Sequence, residues 1–197
     1  MNDAIKKLLD NYESPYKFKR LIMDEYGIPL SICQYSEFLQ YLRKIQKKRE
    51  KLLMLEIGAY VGLFIDFINK NFKNITIKGI DNYEPFTELA KSKKLNVLLG
   101  DALELNKLYG SKTFDIIIAT NFFHKELKKF KTKESYFNWV DKILDQVLFV
   151  LKPKGIFFFD TEIIMDPSQF INKGFNIDSS YLNKECSKKY FALIKKE

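Results

Sequence analysis

LLMLEIGAYVG, residues 52–62, decides how this chain is built. An apolar run ends in the acid Glu56, and the chain then turns through Gly58 and Gly62. A second apolar run, Ile75 to Ile80, ends in another acid, Asp81. Strand, glycine turn, helix, strand and terminal acid make a βαβ unit of the kind that holds a nucleotide. The glycines allow a tight turn and close approach of backbone to a ligand, and the second acid can accept hydrogen bonds from both hydroxyls of a ribose.

The rest of the chain repeats the alternation. Phe64, Ile65 and Ile68 give the helix after Gly62 an inward face, and Glu84-Pro85 starts the next helix, since proline suits a first helical turn. Strands are expected at Leu52–Ile57, Ile75–Ile80, Asn96–Leu99 and Phe114–Thr120, the last almost wholly apolar, as a strand buried on both faces is. A long helix is expected over Lys133–Leu151, then a turn Lys152–Gly155 into a strand Ile156–Phe159, and a short helix near Pro167–Asn172. The last two strands, Phe175–Tyr181 and Lys189–Ile194, sit too close for a crossover helix and should pair antiparallel. The fold class is therefore α/β: a doubly wound, seven-stranded, mostly parallel sheet with an antiparallel C-terminal hairpin. Residues 1–50 read as helical, broken at Tyr26-Gly27-Ile28-Pro29, with Phe38, Leu39, Leu42 and Ile45 forming one face of a helix over about 34–50. They are expected to act as a lid over the strand ends, within the same domain as residues 51–197.

Bulk properties bound the rest. A chain of 197 residues with 46% hydrophobic residues suits one domain, and 18 Phe with 11 Tyr imply a bulky core. No apolar run approaches the ~20 residues of a membrane span, and MNDAIKKLLD lacks a signal-peptide core. Cys33 and Cys186 lie far apart and form no metal-type spacing, which fits reduced thiols in a cytoplasmic protein. The net charge of +8 invites a nucleic-acid reading, but the excess is spread along the chain and all but Arg20, Arg43 and Arg49 of the 33 basic residues are Lys. Base and phosphate recognition favours arginine forks, so nucleic acid is possible but not favoured.

In such sheets ligands bind beyond the carboxyl ends of the strands, which points to the loops at 57–62, 81–84, 100–103, 120–126 and 160–166. Those loops resemble the Rossmann-like (class I) S-adenosylmethionine-dependent methyltransferases. The resemblance is carried by Glu56-Ile57-Gly58-Ala59-Tyr60-Val61-Gly62, by Asp81 in GIDNY, by Gly100-Asp101-Ala102, by Phe114–Ile118 followed by Asn121-Phe122-Phe123-His124, and by Leu151–Gly155. It covers residues 51–197. It implies S-adenosylmethionine as cofactor, with the turn of Glu56, Gly58, Tyr60 and Gly62 passing under its methionine part. Asp81 and Asn82 would then lie at the ribose, Asp101 and Ala102 at the adenine, and Asn121 beside the transferring methyl. Tyr60 stands where many members have glycine, and EIGAYVG resembles the subgroup with EIG-small-aromatic-x-G, which includes small-molecule O-methyltransferases.

The rival for the βαβ unit is a nicotinamide enzyme, whose fingerprint is GxGxxG; the spacing here is Gly58-x-x-x-Gly62, which leaves little flat room for a pyrophosphate. Glu56 can be a buried acid that orders the turn. Asp81 can cap a helix, but Pro85 places the helix start later, which favours the ribose role. Asp101 can meet adenine or cap a turn. Asp115, at the opposite end of its strand, reads as structural. His124, the only histidine, is either a general base at the acceptor or a residue at a helix start with no catalytic duty. The basic run Lys125–Lys133 is either an exposed face or a lure for an acidic acceptor. Some O-methyltransferases hold a divalent cation between acids after the fourth and fifth strands. Only the second set is present here, as Asp160-Thr161-Glu162, so no catalytic metal is expected. The expected activity is methyl transfer to an O or N nucleophile of a small molecule. Transfer to RNA or protein, and a non-catalytic binding protein of the same fold, stand as alternatives.

Overall fold

The computed structural model describes residues 35–46, 51–123, 129–161, 165–183 and 188–197. In chain order these form α1 (Ser36–Gln46), β1 (Leu52–Ile57), α2 (Leu63–Asn71), β2 (Ile75–Asp81), α3 (Glu84–Ser92) and β3 (Val97–Leu99). A 3-10 turn (Ala102–Glu104) then leads into α4 (Leu105–Leu108). The rest comprises β4 (Phe114–Ala119), α5 (Lys133–Val150), β5 (Leu151–Thr161), α6 (Pro167–Lys173), β6 (Phe175–Asn183) and β7 (Lys188–Lys195).

The seven strands lie in the order β3-β2-β1-β4-β5-β7-β6. Neighbours from β3 to β5 are parallel, and β7 runs antiparallel to both β5 and β6. Growth of the sheet reverses between β1 and β4, the position at which open α/β sheets leave a crevice beyond the carboxyl ends.

Because side chains alternate along a strand, each apolar strand feeds two cores. Met54, Ile116, Phe158 and Ala192 pack on one face with Phe64 and Ile65 of α2 and Phe38 of α1. Leu55, Ile117, Phe157, Phe159 and Phe191 pack on the other with Ile143 and Val147 of α5 and Phe170 of α6. The triplet Phe157-Phe158-Phe159 shows the alternation: Phe158 meets Phe38 edge-on at 5.2 Å, while Phe159 stacks on Phe191 at 5.1 Å across the sheet's opposite face. Burying each such ring contributes about 1.5–3 kcal/mol.

Most boundaries agree with the sequence to within a residue or two. Three features differ. Lys152–Gly155 is not a separate turn, because α5 passes directly into β5. Leu151 already pairs with Phe114, and Ile156 pairs with Ile116, so the intervening residues bulge out within the strand, Lys154 at φ 59°. The 3-10 turn and α4 carry too short a pattern to be read from periodicity. Third, α1 lies against the face of the sheet, with Phe38, Leu39 and Leu42 in the core, instead of over the strand ends. The remainder of the expected lid, residues 1–34 and 47–50, lies outside the described residues. Asp115 is structural, as expected: at the amino end of β4 its Oδ2 accepts from Leu53 N at 2.9 Å and from Lys152 Nζ at 2.9 Å, tying β1, β4 and β5 together. No helix among the described residues is long and apolar enough to cross a membrane.

Gly79, inside β2, has a packing reason to lack a side chain. A Cβ there would lie 2.5 Å from Ala59 Cβ and 2.6 Å from Ile65 Cδ1, so the bare backbone is what lets the loop after β1 and the helix α2 seat on β2. Gly79→Ala should therefore destabilise the fold by about 1–3 kcal/mol, the usual penalty for overpacking, read as a lower urea midpoint at unchanged slope. An unchanged midpoint would show that α2 can move away from β2 freely.

Candidate functional site

A cleft of about 230 Å³ opens beyond the carboxyl ends of β1 to β4. Ile57 and Ile80 floor it, and four loops wall it: Gly58 and Tyr60 after β1, Asp81, Asn82, Tyr83 and Phe86 after β2, Gly100, Asp101 and Ala102 after β3, and Thr120, Asn121 and Phe122 after β4. Trp139 of α5 closes the β4 side.

The turn after β1 is stapled to β2. Gly58 N and Ala59 N both donate to Ile80 O at 2.9 Å. Gly58 and Gly62 sit at φ 72° and 79°, which glycine adopts without penalty. Tyr60 also sits in the left-handed region, at φ 53°, a conformation that costs a residue with a side chain roughly 1–2 kcal/mol. Two contacts offset that cost: its N–H donates to Asp81 Oδ2 at 2.8 Å, and its ring packs edge-on against Phe86 with centroids 4.0 Å apart. Tyr83 joins the same cluster at 4.6 Å from Phe86.

Asp81, at the end of β2, accepts from two backbone groups, Tyr60 N on Oδ2 and Tyr83 N at 3.0 Å on Oδ1. It holds both loops at the mouth of the cleft and still borders the open space. Asp101 Oδ1 accepts from Leu103 N at 2.8 Å and caps the 3-10 turn. The cap and the place in the cleft coexist in one side chain. Asn121 has φ 53°, and its N–H donates at 2.7 Å to Oδ1 of Asp160, which is fully buried at the end of β5. Thr120 Oγ1 is buried at the cleft with no hydrogen-bond partner among the described residues.

Seven of the residues singled out from the sequence thus meet at one cleft: Gly58, Tyr60, Asp81, Asn82, Asp101, Ala102 and Asn121. Two do not line it. Gly62 is the cap residue of α2, and a Cβ there would press on Leu95 and Val97 at 3.0 and 3.1 Å. Glu56 points into the core on the α1 side, where Tyr35 Oη donates to its Oε1 at 2.7 Å and Oε2 has no partner among the described residues. Burial is the main reason its carboxyl is pushed up to about 8. The Tyr35 hydrogen bond lowers it in part, and the charge of Asp81 raises it further. His124 and Glu162 lie outside the described residues, among which no group of three His, Cys, Asp or Glu could hold a metal. The sequence reading placed Tyr83 and Thr120 in loops at the cleft without giving them a role, and it did not bring Phe86 and Trp139 there. Trp139 sits within an ordinary amphipathic helix and carries no motif that would have marked it.

The sequence profile of a methyltransferase-domain family matches residues 55–159, more than half of the chain and all four walls of the cleft. The chain belongs to the class I S-adenosylmethionine-dependent methyltransferases. Solved structures agree in fold. A SAM-dependent methyltransferase from Aquifex aeolicus superposes with a TM-score of 0.57 at 17% identity, over 92% of this chain and 97% of that one. The PH0226 protein from Pyrococcus horikoshii gives 0.60 at 15% identity over 95% and 99%. The YcgJ protein from Bacillus subtilis gives 0.57 at 17% identity over 82% and 99%. None of the curated proteins matches the sequence. S-adenosylmethionine is the cofactor of this methyltransferase, and the nicotinamide alternative is set aside.

The buried carboxyl of Glu56 gives the methyltransferase a pH signature. In the unfolded chain it ionises near 4.5, whereas the fold keeps it protonated up to about 8. The folded state therefore holds the extra proton, and stability from this group is full below pH 4.5 and drains away as pH rises toward 8. Glu56→Gln, neutral at every pH, should flatten that decline in cofactor-free urea unfolding series between pH 5 and about 8.5. Parallel curves for the two proteins would show that Glu56 is ionised in the fold.

Proposed function

We propose that this cleft holds S-adenosylmethionine with its nucleoside over the β2–β3 side and its methionine part over the β1–β4 side, and that the protein methylates an O or N nucleophile of a small molecule. The observation that carries the orientation is the asymmetry of the cleft. Both acids, Asp81 and Asp101, lie at one end, where hydroxyl and amino donors of a nucleoside would need acceptors. The other end has the left-handed Gly58 turn and Thr120 Oγ1, a buried polar atom without a partner among the described residues that a ligand can satisfy. Asn82 and Ala102 would border the nucleoside, Tyr60 would cover the turn, and Asn121 would flank the methyl. Gly62 and Glu56 act behind the turn, Gly62 by letting the chain enter α2 and Glu56 by ordering β1 against Tyr35.

The bound cofactor supplies an electrophilic methyl on a positively charged sulfur. The chain's own work is alignment and exclusion of water, the main requirement of a direct displacement. Ile57 and Ile80 give the floor no competing polar group, and Asp160 holds the β4 loop in place through Asn121 N. As the acceptor attacks, its proton must leave, and His124 is the candidate base on sequence grounds. Of residues 1–50, read from the sequence as a lid, those outside α1 are proposed to shape the acceptor side. The small-molecule acceptor is favoured by the even spread of charge and the scarcity of arginine.

Calorimetric titration with S-adenosylmethionine should give micromolar binding to the intact chain and none to Asp81→Ala. Asp81→Asn should bind roughly tenfold more weakly, since an amide oxygen can accept only one of the two backbone N–H groups. Absence of binding to the intact chain, or full affinity in Asp81→Ala, would overturn the placement.

A further inference from the structure

Phe122 sits where the core meets the cleft. Its neighbour Phe123 is fully buried and packs edge-on against Phe159 at 5.2 Å, as a core residue should. Phe122 meets Phe123 edge-on at 5.3 Å, at the rim of the same core, and also borders the cleft. It is half-buried at the wall of the cleft, and one edge of its ring rests over the glycine turn, Cδ2 lying 3.1 Å from where a Cβ on Gly58 would sit. The backbone is arranged to hold it there. Asn121 takes the left-handed conformation, and its N–H is fastened to the buried carboxylate of Asp160. Trp139 backs the ring at 5.5 Å with an interplanar angle of 35°, so two aromatic side chains form one wall on the β4 side.

We propose that Phe122, backed by Trp139, is a specificity residue that lets the site distinguish the charged methyl donor from its uncharged product. The inference rests on the cofactor placement proposed above. The donor's sulfur carries three carbons and a positive charge. On transfer a lone pair on the acceptor's O or N forms the new bond to the methyl carbon as the methyl–sulfur bond breaks; that bond's electron pair returns to sulfur, a neutral thioether remains, and the acceptor sheds its proton. The cationic group is attracted to the electron-rich face of an aromatic ring, and the attraction grows when water is excluded. The thioether keeps only its dispersion contact with the ring. An aromatic wall at the sulfur end therefore favours the donor over the product in a way that an aliphatic side chain of equal size does not. Release of spent cofactor follows from the same contact.

The test is the ratio of two affinities, measured by calorimetry on the full chain with S-adenosylmethionine and S-adenosylhomocysteine. Phe122→Leu should weaken the donor relative to the product by about fivefold, the effect of a modest cation–π contact, while Phe122→Tyr keeps the ratio. Replacing Phe122 with ring-fluorinated phenylalanines preserves the shape while draining the π face. The ratio should then fall stepwise with each fluorine in the intact fold. Equal weakening of both ligands in Phe122→Leu, or a ratio indifferent to fluorination, would overturn the proposal and leave the ring as packing. Binding of neither ligand to the unmodified chain would overturn the cofactor placement itself, and this inference with it.

Discussion

The site depends on one carboxylate being shared by two loops. Asp81 ends β2 and takes the N–H of Tyr60 on one oxygen and that of Tyr83 on the other. Without it the left-handed tyrosine in the turn after β1 would have only its ring contact with Phe86 to offset its backbone cost, and the start of α3 would lose its anchor. The paired donations of Gly58 and Ala59 to Ile80 O complete the clamp. The residue proposed to read the ribose is thus also the residue that shapes the loop on which the cofactor is proposed to lie. Binding and local stability are coupled through it, so loss of affinity at this position has to be separated from loss of structure.

The rest of the site is positioned by the sheet. Because the strand order reverses between β1 and β4, loops from four consecutive parallel strands face one crevice, and none of them needs to be long. Each is held by a polar side chain at or near a strand end: Asp81 holds two loops, Asp101 caps its own turn, and Asp160 reaches across from β5 to the loop after β4. The opposite end of the sheet is held in the same way by Asp115, away from the cleft. The aromatic residues divide by face and by end. Those on β5 and β7 fill the two cores, whereas Tyr60, Phe86, Phe122 and Trp139 are left where the cores run out.

The fold was largely legible because a parallel sheet buried on both faces leaves runs such as Phe114–Ile118 that nothing else explains. The backbone part of the site was legible for the same reason: glycines and acids at strand ends sit at fixed offsets from those runs, and Gly58, Asp81 and Asp101, with four residues beside them, converge on the cleft. What could not be read was contact between distant elements. Glu56 carries the right chemistry in the right motif, yet even-numbered positions of β1 face the α1 core, so it turns away from the cleft toward Tyr35. Trp139 reaches the site only through the packing of α5 across the sheet, and Lys152–Gly155 reads as a turn because Pro and Gly signal one whether it stands between elements or bulges within a strand.

The place of β7 has a consequence for how the chain acquires its structure. It follows β6 in sequence but lies between β6 and β5 in the sheet. Until it inserts, β5 presents an open hydrogen-bonding edge along its Phe157–Phe159 stretch, three consecutive aromatics with strong β-forming tendency and no charge. Such an edge is a template for pairing with another chain. A nascent molecule in which β1 to β5 have already assembled is therefore adhesive, and arrival of β7 is the event that removes the hazard. Dispersal during synthesis, as distinct from stability afterwards, rests on how promptly that strand slots into the gap.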